Sequence, residues 1–390
     1  MDMDLVIKTA AEGAARYKER ELEVLKKFCA IDCGSRNIEG NRQVVDIVCE
    51  ELSCIEGIRI ERRFSEGYGE HIIASLKPEN AQGKLIINAH LDTVFNPGDT
   101  AKYPYREEGD TAWGLGIADC KAGVVIPIFA VKAMQEAGML PDKEIVFVYN
   151  CDEEIGSAAA EPLFEEVAPG AEMAFVFEPA RDDDGIITAR KASCSYTIEC
   201  FGKSAHSGNN YEDGRSAVLE LCHRITRLYQ CNDDAKGIQF NTGKLWGSEY
   251  GNNVVPDHAK ATGSVRVANK ADIQEVKDIL AAVEAEAPFI EGTTCKITLD
   301  EVGKPMERNE ANLALYAKMK AVGGRMGMEL PEQAAGGGSD ASYFSFLGVP
   351  ALDALGGYII RGMHSYEECF KISSLEDKTK LFAAFLGSLK

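Results

Sequence analysis

The sequence has no run of about 18 apolar residues that could cross a bilayer. Its N-terminal helix pattern is charged and amphipathic, and it lacks the apolar core of a secretion signal. The twelve cysteines include no C-x-x-C pair, and many stand in apolar runs, as reduced buried thiols do. These features predict a cytoplasmic protein that does not interact with membranes.

Basic residues are also in the minority. Lys and Arg number 42 against 62 Asp and Glu, which gives a net charge of −20. A surface of that sign repels phosphate backbones, so nucleic acid is not an expected partner. No P-loop and no G-x-S-x-G motif is present, so NTPase and serine-hydrolase functions have no support. The stretch "GLGIAD" is similar to a dinucleotide-binding turn, but Asp119 replaces the third glycine and would repel a pyrophosphate.

The chain is long enough for two domains, with 390 residues of which 45% are hydrophobic. Up to about residue 191, apolar strand patterns alternate with helical patterns, which is typical of a mainly parallel sheet flanked by helices. Residues 192–306 change to period-two alternation and predict an inserted α+β sandwich. The predicted fold class is therefore α/β, with a larger domain formed by residues 1–191 and 307–390.

Potential metal ligands directly follow the apolar strands of this larger domain. They are His90, Asp92, Glu153, Glu154, Glu178 and His364, together with Asp119 after a glycine-containing loop. The carboxyl ends of parallel strands meet at one edge of a sheet, so these groups should converge there. Adjacent acids need a cation to hold them together, and imidazole with carboxylate suits zinc, with cobalt or manganese as substitutes.

Asp92 has a separate predicted task. Residues i and i+2 of a strand share a face, so its carboxylate can accept a hydrogen bond from the ring of His90. Such an outer partner fixes the tautomer of a metal-binding histidine.

Six motifs carry a family resemblance. They are "HLDTV" (90–94), "GLGIADCKAG" (114–123), "CDEEIGS" (151–157), "FEPA" (177–180), "GKSAHSG" (202–208) and "GGGSDA" (336–341). In this order, and with a terminal His364, the chain resembles the M20 family of co-catalytic zinc peptidases and deacylases over about residues 85–365. "FEPA" and "GGGSDA" are most similar to the glutamate carboxypeptidase branch.

The resemblance implies two zinc ions per subunit, bridged by Asp119. His90 and Glu178 would complete the shell of one ion, and Glu154 and His364 that of the other. Glu153 would be the general base. Neighbouring residues of an extended chain face opposite ways, so Glu153 and Glu154 could divide these tasks. The resemblance also implies a cis peptide bond after Asp119.

Three residues of the insert acquire roles by the same resemblance. His206 would donate to the oxyanion of the tetrahedral intermediate, Arg266 would bind the free carboxylate of the substrate, and Asn253 would contact the substrate or the oxyanion. Taken alone, His206 and Asn253 indicate turn positions, and Arg266 indicates an exposed strand residue in a salt bridge. The insert itself would serve as a lid and dimerisation domain of a homodimer.

The implied activity is hydrolysis of an amide bond next to an amino acid with a free carboxylate. The substrate would be a small peptide with C-terminal glutamate or a similar residue. An N-acyl amino acid deacylase (aminoacylase) or a dipeptidase would use the same machinery, and a non-catalytic binding protein on this scaffold is the alternative of another class.

Overall fold

The computed structural model describes residues 2–181 and 183–390. The helices are α1 (Met3–Cys29), α2 (Ile38–Ser53), α3 (Asp99–Lys102), α4 (Gly123–Glu136), α5 (Glu161–Val167), α6 (Ala217–Tyr229), α7 (Asp272–Ala285), α8 (Glu310–Arg325), α9 (Ala341–Phe346) and α10 (Ser373–Ser388). The strands are β1 (Arg59–Ser65), β2 (Gly69–Leu76), β3 (Lys84–His90), β4 (Arg106–Glu108), β5 (Thr111–Trp113), β6 (Glu144–Asn150), β7 (Ala171–Val176), β8 (Ile186–Arg190), β9 (Ala192–Phe201), β10 (Ala205–His206), β11 (Gln239–Trp246), β12 (Val254–Val255), β13 (His258–Val267), β14 (Thr294–Glu301), β15 (Glu332–Ala335), β16 (Ala351–Leu352), β17 (Ile359–Arg361) and β18 (Cys369–Lys371).

A six-stranded sheet forms the centre of the larger unit, in the order β1-β2-β6-β3-β7-β16. β6, β3, β7 and β16 run parallel, whereas β1 and β2 form an antiparallel pair at one edge. β3 and β6 are buried over almost their whole length, which explains their continuous apolar sequences. This mixed, mainly parallel sheet between helices confirms the predicted α/β fold class.

Helices α1, α4 and α10 pack together over the sheet and bury most of their apolar residues. Phe175 and Phe177, from β7 and the residue after it, meet Phe382 of α10 edge to face, with ring centroids 5.2 and 4.9 Å apart. Packing of this kind fixes the end of β7, from which Glu178 projects.

Helix α4 starts later than the sequence indicates. The helical pattern of the sequence, "ADCKAGVVIPIFAVKAMQEAG", predicts a start near Asp119, but Ile117–Ala122 form an irregular turn in which Asp119 and Cys120 have non-helical backbone angles. The peptide bond between these two residues is cis, as the resemblance implies. Gly116 precedes this turn with φ +67°, a conformation that favours glycine.

The smaller unit is built on an antiparallel sheet in the order β11-β13-β9-β14. β9 alternates between buried and partly exposed residues, as its period-two pattern predicts. Helices α6 and α7 pack on the sheet and supply core residues such as Leu221, Val276 and Leu280. A short ribbon, β10 with β12, also belongs to this unit.

The chain divides into one unit of Met1–Thr188, Arg308–Ala334 and Ser339–Lys390 and a second of Ala189–Glu307 with Ala335–Gly338. The second unit also includes residues 189–191, 307 and 335–338, which the prediction assigned to the larger domain. Two hydrogen bonds explain the place of residues 335–338: Lys191 N–H donates to the Ala335 carbonyl, and the Arg190 guanidinium donates to the carbonyl of Gly337. A lid or dimerisation role for the smaller unit stays a prediction.

Among the helices of the described residues, none has both the length and the apolar character of a transmembrane span.

Candidate metal and active site

The larger unit brings the five predicted metal ligands together. His90 ends β3, Glu178 follows β7, Glu154 follows β6, Asp119 lies in the turn before α4, and His364 lies between β17 and β18. His90 Nε2 is 3.0 Å from Asp119 Oδ1 and 3.7 Å from Glu178 Oε1. His364 Nε2 is 3.1 Å from both Asp119 Oδ2 and Glu154 Oε2. Each imidazole therefore faces Asp119 and one glutamate.

Asp119 occupies the centre of this arrangement. One carboxylate oxygen faces His90 and the other faces His364. A carboxylate that presents its two oxygens to two separate sets of ligands is suited to bridge two cations. The family resemblance implies the same bridging role.

Asp92 fixes the ring of His90 from behind. His90 Nδ1 lies 3.0 Å from the Asp92 carbonyl oxygen and 3.3 Å from Asp92 Oδ1. An Nδ1–H that donates here leaves Nε2 to face Asp119 and Glu178, as a metal-binding histidine requires. Ser35 donates its hydroxyl to Asp92 Oδ2 at 2.6 Å, so the carboxylate is itself held in place.

Glu153 and Glu154 do not lie on an extended segment. They belong to a 3₁₀ turn, Glu153–Ile155, whose first two backbone N–H groups donate to Asp92 at 3.2 and 3.3 Å. The predicted opposite orientation on an extended chain is therefore wrong. Successive side chains of a 3₁₀ turn diverge by about 120°, so the two acids still point in different directions.

The charges of the cluster shift the pKa values of its members. Burial, reinforced by Glu178 and other nearby acids, raises the pKa of Glu153 well above its usual range. Burial opposes ionisation of Asp119, but hydrogen bonds from His364 and His90 outweigh it and hold the pKa of its carboxyl well below its usual range. Hydrogen bonds to Asp119 and Glu154 raise the pKa of His364 to about 10. The position between these two carboxylates therefore strongly attracts positive charge.

The donor set fits divalent metal ions. The ligand atoms of His90, Asp119 and Glu154 lie within 4.8 Å of one another, and all of them are imidazole nitrogens or carboxylate oxygens. Cys120 also lies close to His90 and Glu178, but its thiol is hydrogen-bonded to the Phe177 carbonyl at 2.9 Å. The geometry thus favours nitrogen and oxygen ligation.

The predicted residues of the insert lie in the smaller unit. His206 and Asn253 are neighbours in the β10–β12 region, where His206 pairs with Val254 and Ser207 N–H donates to the Asn253 carbonyl at 2.8 Å. His206 Nδ1 accepts from the N–H groups of Gly208 and Asn209, each at 3.1 Å. Its Nε2 must then carry the proton of the neutral ring, which makes Nε2–H an outward hydrogen-bond donor.

Arg266 lies on β13, opposite Gln239 of β11 and Ser193 of β9. Its neighbours Val265 and Val267 are buried, so the alternation of the strand turns Arg266 to the other face of the sheet. Gln239 in turn accepts from Lys191 Nζ at 3.2 Å. Arg266 therefore lies on a face that also carries a second basic side chain.

Two polar groups near the cluster were not predicted. Ser35 holds Asp92, and nothing in its local sequence indicates this because the contact joins residues 57 apart. Asp340 is buried and accepts from the Ser157 hydroxyl at 2.5 Å, while burial raises its pKa to about 7. Asp340 belongs to the motif "GGGSDA", and this was the sequence signal that could have indicated its place near the cluster.

A cavity of about 370 Å³ opens beside Glu154. Val94, Phe95 and Ile155 supply apolar walls, and Arg36, whose guanidinium lies 4.3 Å from the ring centre of Tyr68, also borders it. The cavity can receive an apolar or aromatic group adjacent to a predicted metal ligand.

Comparisons with known proteins agree with this fold. Carboxypeptidase G2 of Pseudomonas sp. (strain RS-16) is 29% identical over 355 residues, which cover 88% of this chain and 83% of that protein. The crystal structure of aminopeptidase PepT from Bacillus cereus ATCC 10987 has a TM-score of 0.81 at 19% identity and covers 95% of this chain and 98% of its own. YxeP from Bacillus subtilis, a dinuclear metal binding peptidase, has a TM-score of 0.70 at 15% identity, with 96% of this chain and 99% of its own covered.

The likeness to the solved structures concerns the fold. Membership rests on the sequence, because residues 86–388, well over half of the chain, match the peptidase family M20/M25/M40. The chain belongs to peptidase family M20/M25/M40, a family of metal-dependent hydrolases.

Proposed function

We propose that this protein is a two-metal carboxypeptidase-like amidohydrolase. It cleaves the amide bond that precedes an amino acid with a free carboxylate, such as a C-terminal glutamate. The observation that carries the proposal is the placement of Asp119, whose two oxygens face His90 and His364 at 3.0 and 3.1 Å. The relation to carboxypeptidase G2 supports the carboxypeptidase-like direction.

The residues would hold the ions in two groups that share Asp119. His90 and Glu178 belong to one group, and Glu154 and His364 to the other. Zinc suits this set of imidazole and carboxylate donors, and cobalt or manganese are the expected substitutes. When bound, such a pair of ions lowers the pKa of a water molecule and polarises the scissile carbonyl.

Glu153 is the proposed proton carrier. Its carboxylate takes a proton from the attacking water and delivers it to the leaving nitrogen. Its place in the turn next to Glu154 supports this role, because a general base must lie within hydrogen-bond reach of the water that it deprotonates. Its neighbour Glu154 remains available as a ligand because the turn directs the two side chains apart.

The smaller unit would supply the remaining contacts to the substrate. Arg266 binds the free carboxylate, and its planar guanidinium suits a two-point contact. His206 donates from Nε2 to the oxyanion, a role supported by the two N–H groups that occupy Nδ1. Asn253, beside His206 in the same ribbon, contacts the substrate or the oxyanion.

The proposed substrate has an apolar or aromatic group on the side opposite the carboxylate. The cavity bordered by Val94, Phe95 and Ile155 supports this, since it lies beside Glu154. A homodimer through the smaller unit and a cytoplasmic location complete the proposal.

The test is a substrate panel with added zinc, cobalt or manganese. It contains peptides with C-terminal glutamate, N-acyl amino acids and unblocked dipeptides, each with a version whose carboxylate is amidated. We expect the fastest turnover on C-terminal glutamate peptides and little on amidated ones. Faster turnover of simple N-acyl amino acids would make the protein a deacylase, and faster turnover of unblocked dipeptides a dipeptidase. Stoichiometric metal with no turnover of any substrate would contradict an enzymatic role.

A further inference from the structure

Glu368 is buried beside the turn that carries Asp119, and it is not one of the proposed ligands. Its exposed fraction is 1%, yet its carboxylate accepts three backbone hydrogen bonds. Oε1 accepts from the N–H groups of Ala118 and Asp119 at 2.9 and 3.1 Å, and Oε2 accepts from Gly116 N–H at 3.1 Å. A single side chain thus binds three amides of the turn that carries Asp119.

This turn needs an external acceptor. Asp119 and Cys120 depart from helical backbone angles, and Gly116 has φ +67°. The first N–H groups of a helix have no partner within it, and those of Gly116, Ala118 and Asp119 donate to Glu368. A buried N–H without a partner is costly, so one carboxylate that accepts from three of them favours this backbone path.

Glu368 also belongs to the segment that carries His364. It follows His364 by four residues, its N–H donates to the Ser365 carbonyl at 3.1 Å, and its carbonyl accepts from Gly114 N–H at 3.3 Å. The next residue, Cys369, begins β18, which pairs with β5. Glu368 therefore joins the two segments whose side chains meet at 3.1 Å, between His364 Nε2 and Asp119 Oδ2.

We propose that Glu368 is a positioning residue for metal binding, which holds Asp119 at the distance from His364 that a shared ion requires. The inference rests on the proposed function only for the identity of the ligands. Glu368 itself is not a proposed ligand of either ion. Its effect passes through the backbone of residues 116–119.

The variant Glu368→Gln keeps the size of the side chain but replaces one acceptor oxygen by an NH₂ group, which cannot accept from a backbone N–H. Glu367→Gln is the matched control, because Glu367 is the exposed neighbour. Zinc affinity is measured by competition with a chromogenic chelator. We expect Glu368→Gln to bind zinc about 10- to 100-fold more weakly, as is typical when an outer partner of a metal site is lost. Glu367→Gln should match the wild type.

A purely structural role is separated by thermal unfolding with chelator and with zinc. Loss of general stability would lower both melting temperatures equally, whereas a positioning role reduces the increase in melting temperature that zinc produces. Glu368→Asp, which retains the carboxylate on a shorter side chain, should recover part of that increase. Wild-type zinc affinity in Glu368→Gln would overturn the inference, and would leave the proposed function intact if the wild type hydrolyses the substrate panel.

Hydrogen exchange of the wild-type protein covers the case in which Glu368→Gln does not fold. The amides of Gly116, Ala118 and Asp119 should exchange slowly in chelator-treated protein, because Glu368 binds them without any ion. Rapid exchange there, or failure of the wild type to bind zinc at all, would also refute the positioning role. Slow exchange together with zinc binding supports it.

Discussion

Glu153→Gln gives the sharpest test of how the two adjacent acids divide their tasks. The substitution preserves the shape of the side chain and removes its ability to carry a proton at the working pH. The turn that contains it should persist, because Asp92 binds the backbone N–H groups of Glu153 and Glu154 and not the side chain of Glu153. His364 Nε2 should likewise keep its 3.1 Å contact with Glu154.

The expected magnitude follows from this separation. General acid–base assistance contributes about 10²- to 10⁴-fold, which corresponds to roughly 3–5 kcal/mol of transition-state stabilisation. We therefore expect kcat to fall by about 10²- to 10⁴-fold, while KM and the number of bound metal ions change little. The measurements are steady-state kinetics on a C-terminal glutamate peptide and metal content by elemental analysis.

Glu154→Gln is the companion variant. It removes the charge of a proposed ligand that lies 3.1 Å from His364, so metal content should fall and excess zinc should restore part of the rate. Near-normal kcat in Glu153→Gln would refute its role as the base. Loss of metal in Glu153→Gln together with full metal content in Glu154→Gln would show that the two assignments are reversed.

Three further predictions concern separate parts of the molecule. Arg266→Ala should raise KM for substrates with a free carboxylate by about 10- to 100-fold and leave turnover of amidated substrates unchanged, since a hydrogen bond to a charged group contributes about 1.5–3 kcal/mol; equal losses on both would contradict the contact. Asp92→Asn should weaken zinc binding by about 10- to 100-fold in a chelator competition, because His90 loses a carboxylate partner; unchanged affinity would count against the tautomer argument. Glu21 is fully buried, and burial raises its pKa well above 4.5. Between pH 4.5 and that higher value, the folded state therefore binds one proton more than the unfolded state. The free energy of unfolding then falls by about 1.4 kcal/mol per pH unit as the pH rises. Glu21→Gln should remove this fall, so that its advantage in melting temperature over the wild type grows from pH 4 to pH 7, whereas exposed Glu19→Gln should behave like the wild type; a pH-independent difference would refute the linkage.

The sequence was sufficient for features that depend on local pattern. Burial of β3 and β6 on both faces produces continuous apolar runs, and the charged groups that end those runs meet at one edge of the sheet. The convergence of His90 and Glu154 could therefore be expected from pattern and topology. The same argument included His364, although it lies far from Asp119 along the chain, and His364 Nε2 is 3.1 Å from Asp119 Oδ2. The family resemblance then added the division of the ligands between two ions.

Features set by tertiary contacts could not be predicted in this way. The pattern of α4 extends back to Asp119, but the backbone there leaves the helix and three of its amides turn to Glu368. Glu368 has the sequence environment of a surface acid, next to exposed Glu367. Its contacts join positions about 250 apart, and no periodicity of the sequence encodes a pairing of that kind.

The 3₁₀ turn at Glu153 and Glu154 also changes the physical account of the site. On an extended strand, opposite orientation would follow from the pleat alone and would need no further support. In a 3₁₀ turn it depends on the anchor that Asp92 supplies, and Asp92 also orients His90. The Asp92 carboxylate thus contacts both His90, a ligand of one proposed ion, and the turn of Glu153 and Glu154. That turn carries the proposed base and a ligand of the other ion. A substitution of Asp92 should therefore weaken the binding of both ions and impair proton transfer by Glu153, whereas a substitution of Arg266 should leave all three unchanged.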